Sequence, residues 1–69
     1  MKFTIDCEIE ADGRWIAEVL ELPGVMAYGE NRSEAILSAE ALALRVIAER
    51  LERREIEPAA IHITLPDAA

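Results

Sequence analysis

The chain has one cysteine, Cys7, so no disulfide can close within it. A single histidine, His62, leaves no Cys/His cluster with zinc spacing and no obvious partner for general acid–base work. The three glycines, Gly13, Gly24 and Gly29, stand apart in separate turns and do not make a phosphate cradle. Lys and Arg number 7 against 14 Asp and Glu, a formal charge of -7. That balance is wrong for gripping free nucleic acid, which needs clustered cations. Trp15 and Tyr28 are too few, and too surrounded by acids, for a stacking platform. No apolar run approaches the ~20 residues of a membrane span. The first residues, Met1 to Asp6, lack the apolar core of a signal peptide. These absences lead to a cytoplasmic, non-enzymatic chain with no catalytic residue, metal site or cofactor.

What remains is 69 residues, one domain spanning 1–69. A domain this small buries only about 60% of its extended-chain surface on folding. Without disulfides or metal, such domains often gain stability by associating.

Residues 2–9 alternate, with Phe3, Ile5, Cys7 and Ile9 on one side and Lys2, Thr4, Asp6 and Glu8 on the other. That is the pattern of a half-buried strand. Asp12-Gly13 suits a tight hairpin turn. Residues 14–20 resume the alternation, Trp15, Ala17 and Val19 against Ile16, Glu18 and Leu20. Pro23-Gly24 predicts a type II turn, and 25–28 a short third strand ended by Gly29. Asn31 and Glu34 have capping-box spacing at the start of a helix. Residues 32 to about 55 hold no Gly or Pro, and Pro58 forbids continuation. Residues 60–65 predict a fourth strand with Ile61, Ile63 and Leu65 on one face, and 66–69 a frayed tail. The order is βββαβ, an α+β domain of two layers. A right-handed crossover then gives sheet order 3-2-1-4 with one long helix on one face.

At about 100° per residue, Ala35, Ile36, Ala39, Ala43, Val46 and Ile47 form one stripe, enough to cover the sheet. A second set, Leu37, Ala41, Leu44, Ala48 and Leu51, lies on an adjoining face. This surplus predicts an oligomer interface, a dimer or tetramer, unless the alanines are propensity filler and three leucines are simply exposed. On the sheet's other face, Asp6, Glu8 and Glu18 with Ile16 and Leu20 describe either a solvated surface or a docking surface with apolar anchors. Nine of the acids fall in residues 1–44 against Lys2, Arg14 and Arg32. Negative potential therefore gathers on the strands, which favours basic partners or merely keeps the protein dissolved.

The run Asp12-Gly13-Arg14-Trp15-Ile16-Ala17-Glu18-Val19, then Leu22-Pro23-Gly24-Val25, then Tyr28-Gly29-Glu30-Asn31-Arg32-Ser33-Glu34-Ala35, resembles the HicB antitoxin family. The family pattern is an Asp-Gly turn, an aromatic, a strand, Leu-Pro-Gly, a short strand to Gly, and a capped helix opening Glu-Glu-Ala. Glu34 matches the second Glu and Ser33 stands at the first. The resemblance spans residues 2–65. It implies a partial ribonuclease-H-like domain without that enzyme's active site, which binds and silences HicA, a small basic mRNA-cleaving toxin. Many family members add a C-terminal DNA-binding domain; this sequence stops after the fourth strand, so no direct DNA binding is expected. Two functions stand as expectations. One is an antitoxin-like module that sequesters a HicA-type toxin. The other is an orphan homo-oligomer, structural or binding a small ligand, with no toxin partner.

Overall fold

The computed structural model describes residues 1–57 and 60–66. The elements are β1 (Lys2–Ile9), β2 (Trp15–Val19), β3 (Met26–Gly29), α1 (Arg32–Glu52) and β4 (His62–Thr64). They form a four-stranded sheet in the order β3-β2-β1-β4 with α1 on one face. The βββαβ layout and the strand order are those the sequence leads to. β1–β2 and β2–β3 are antiparallel and β1–β4 is parallel.

Both turns follow from their residues. Gly13 N–H donates to the Glu10 carbonyl at 3.0 Å, and Gly13 alone takes positive φ, +91°. The connection therefore runs over three residues instead of placing both Asp12 and Gly13 at positive φ. In the second turn Val25 N–H donates to the Leu22 carbonyl at 3.0 Å, with Gly24 at φ +85° behind Pro23, as a type II turn requires.

Among the described residues the core is entirely apolar. Phe3, Ile5, Ala17, Val19, Leu22 and Val25 from the strands and turn meet Ala35, Ile36, Ala39, Ala43 and Ile47 of α1. Val46 and Leu42 pack at the margin of the same cluster. The alanines on this stripe keep α1 close to the sheet, where a longer side chain would hold it off.

Asn31 caps α1: its Oδ1 accepts the Glu34 N–H at 2.8 Å. The other end departs from the expected boundary near residue 55. The last helical residue is Glu52, and Arg54 takes φ +58°. Glu55 N–H reaches back to the Arg50 carbonyl at 2.9 Å and Arg54 N–H to the Leu51 carbonyl at 3.1 Å. This is a Schellman termination, which satisfies the last carbonyls and usually places glycine where Arg54 stands. Local backbone geometry ends the helix before Pro58, which lies outside the described residues. Arg54→Gly should relieve the left-handed strain and stabilise the domain by about 0.5–1 kcal/mol, after glycine's entropy cost. Urea denaturation would register this as a higher midpoint, and an unchanged or lower midpoint would count against the cap.

β4 is shorter than the sequence suggests. Only Ile63, opposite Phe3, packs against the core, while Ile61 and Leu65 are exposed. The reason is the position of α1, which lies over β3, β2 and β1 and does not extend across β4. β4 is held at its start by the N-terminus: the Met1 ammonium donates to the Ala60 carbonyl at 2.6 Å, and His62 N–H donates to the Met1 carbonyl at 2.7 Å. Of the expected frayed tail, Pro66 is in fact engaged, its carbonyl accepting from Arg32 Nη2 at 3.0 Å. Residues 67–69 lie outside the described residues.

Candidate protein-docking surfaces

The face of the sheet turned away from α1 is built by strand register. Asp6 sits directly across from Glu18, and Glu8 across from Ile16. Leu20 N–H donates to the Thr4 carbonyl at 3.0 Å, which sets Leu20 beside Thr4 on the same surface. All five residues nominated from sequence, Asp6, Glu8, Ile16, Glu18 and Leu20, therefore share one face. Ile16 is half-buried there and the other four are exposed.

The same registers add two residues that the sequence reading missed. Ile16 pairs with Tyr28 and Glu18 with Met26, and both β3 side chains are exposed. The surface is thus a row of acids on β1 and β2 bordered by Leu20, Met26 and Tyr28. Counting two-residue steps from Ile16 across the Leu22–Val25 turn would have found them. Arg14 stands at the rim, its guanidinium 4.4 Å from the Tyr28 ring centroid and its Nε 2.8 Å from Asp12 Oδ2. The backbone and side-chain bonds from Arg14 hold the Asp12 carboxyl below its usual range. On the far side of Thr4, the Glu21 carboxylate accepts the Thr4 N–H at 2.6 Å, which likewise lowers its pKa.

Like charges directly opposed on neighbouring strands destabilise a sheet. The Asp6–Glu18 pair is such an opposition, and neither residue has an ion-pair partner among the described residues.

The second surface is the outward flank of α1. Leu37, Leu44 and Leu51 are 63%, 47% and 39% exposed, and Ala41 and Ala48 between them are exposed too. Among the described residues, none folds over this stripe. It is the surplus apolar face anticipated from the helical wheel.

The residues that could suggest chemistry do not converge. His62 is exposed beside Lys2 on the β1–β4 pair, whereas Cys7 is half-buried on the core side of β1. Burial pushes the Cys7 thiol pKa up, away from nucleophilic use. No group of acids, histidine and cysteine able to hold a metal ion occurs among the described residues. An open hollow of about 360 Å³ at the end of α1 is lined by Leu51, Arg54, Ile56 and Glu57. Among the described residues no helix is long and apolar enough to cross a membrane. Compared with known proteins, the chain matches no protein-family model, no curated protein and no solved structure.

Proposed function

We propose that this domain is an antitoxin-like binding module of the cytoplasm. It takes a small basic protein of the HicA type on the open sheet face and associates with itself through the outer stripe of α1. The module neither catalyses a reaction nor contacts DNA. The observation that carries the reading is the Asp6–Glu18 opposition, with Glu8 beside it and Ile16, Leu20, Met26 and Tyr28 around it. A face that only had to be wet would gain stability from mixed charges. One kept acidic at a cost to the fold suits a cationic partner, and the bordering side chains offer dry anchors for it. Electrostatic complementarity of this kind acts mainly on association rate and partner choice, and it weakens with salt.

The test exploits opposite signs. Glu18→Lys converts a repulsive cross-strand pair into an attractive one, so the free domain should gain about 0.2–1 kcal/mol. The same change should slow association with a HicA-type toxin at low salt. The triple variant Asp6→Lys, Glu8→Lys, Glu18→Lys should fold but no longer rescue growth when co-expressed with the toxin. If it protects as well as the parent chain, the sheet face is not the docking surface.

The second reading, an orphan homo-oligomer, draws on the α1 stripe and on the hollow beside Leu51, which a neighbouring copy could wall in. It takes over if a toxin-type partner fails to bind while self-association persists.

A further inference from the structure

We infer that α1 pairs in parallel with α1 of a second copy, through a heptad seam bordered by reciprocal Glu40–Arg45 ion pairs. This deepens the self-association just proposed and rests on it. The exposed leucines recur every seven residues, at 37, 44 and 51, and the exposed alanines fall four after the first two, at 41 and 48. With leucine at d and alanine at a, this is the repeat that keeps one helix against another along its length. A strand or an irregular segment would not need a seven-residue period. Alanine at each a position lets the two axes approach closely.

The flanks decide the orientation. Position g holds Glu40, half-buried on the sheet side of the seam, and position e holds Arg45, exposed on the solvent side. Neither is ion-paired within the chain among the described residues, although Arg14 and Arg53 are. In a parallel pair, g of one helix lies beside e of the next heptad of the other. Glu40 of each copy then meets Arg45 of the second copy, twice by symmetry. Turning one helix over brings g to g and e to e. Glu40 would then face Ile47 or Glu40, and Arg45 would face Ser38 or Arg45. The opposite charge at e, Glu52, meets Arg45 only in a register that overlaps residues 45–52 alone and leaves Leu37 uncovered. Charge complementarity therefore selects the parallel two-fold arrangement. The sheets, on the far sides of the two helices, stay clear of each other.

Sedimentation equilibrium on the full chain, over a concentration series, tests the seam. The parent should associate as a dimer. Glu40→Arg and Arg45→Glu should each weaken the dimer about tenfold, since each turns two attractions into repulsions, and the double variant should recover most of the loss. In a Cys7→Ser background, Leu37→Cys and Leu51→Cys should each oxidise to a disulfide-linked dimer by itself, with circular dichroism confirming the fold. Cross-linking only when the two cysteine variants are mixed would mean an antiparallel seam and overturn the proposal. A dimer indifferent to all four changes places the contact elsewhere and sinks the seam alone. A parent chain monomeric throughout removes self-association as well, while leaving toxin binding on the sheet face to its own test.

Discussion

Gly29→Ala should come close to unfolding this domain. Gly29 ends β3 and is pressed against the first turn of α1. A Cβ there would lie 2.4 Å from the Ala35 nitrogen and 2.9 Å from both Ala35 Cα and the Glu34 carbonyl carbon. These are backbone atoms, so no rotamer change relieves the clash, and the helix would have to lift from the sheet. Overpacking typically costs about 1–3 kcal/mol, and a backbone clash belongs at or above the top of that range. A chain of this length has a total stability of roughly 3–10 kcal/mol. The melting temperature should fall by roughly 12 °C or more. Gly24→Ala is the control: nothing lies within 4 Å of its Cβ position, and only the φ of +85° opposes it. That change should cost about 1–2 kcal/mol. Equal losses at the two sites would show that close helix–sheet approach is not what Gly29 provides.

Leu37→Glu with Leu44→Glu should drop the solution mass to that of one chain while leaving the far-ultraviolet spectrum intact. Both leucines are exposed and contribute nothing to the buried cluster, and glutamate is as good a helix former as most residues. Two charges per copy on a seam would be desolvated without partners, a cost well beyond the few kcal/mol that a short helix pair supplies. Light scattering of parent and variant side by side reads the outcome. A parent that already scatters as a monomer would leave the stripe unexplained and remove the oligomer from the account. A variant that stays oligomeric would move the contact to another surface, such as the exposed Ile61 and Leu65 at the ends of β4.

The parts of the fold legible from sequence are those governed by local rules. Strict alternation over 2–9 and 14–20 fixed which side of the sheet each side chain faces, because a strand cannot turn a single residue over. It did not fix burial, since Ile9, expected beside Phe3, Ile5 and Cys7, is 59% exposed at the end of β1. Asn31 and Pro23-Gly24 marked their boundaries through bonds made within three or four residues. The errors lie where the outcome depends on distant chain. Alternation puts Ile61, Ile63 and Leu65 on one strand face, but β4 holds only His62–Thr64 and only Ile63 packs against the core, which the reach of α1 over the sheet decides. Pro58 points to a helix terminus near 55 because proline is visible in a sequence, whereas the left-handed Arg54 that ends the helix is not. At the candidate docking surface, the five residues follow from period two within β1 and β2. Met26 and Tyr28 required the β2–β3 register as well, and the cost of setting Asp6 against Glu18 appears only once β1 and β2 are paired.

The proposed occupant of the acidic open face of the sheet is a small basic protein. Chemical-shift mapping of the isotope-labelled chain, titrated with a HicA-type toxin at low salt, tests it most directly. Toxin seated on the sheet should perturb Asp6, Glu8, Ile16, Glu18, Leu20, Met26 and Tyr28, less so as salt is added, and should leave the outer stripe of α1 unaffected. Perturbations confined to Leu37, Leu44 and Leu51, or a spectrum unchanged at saturating toxin, would contradict it.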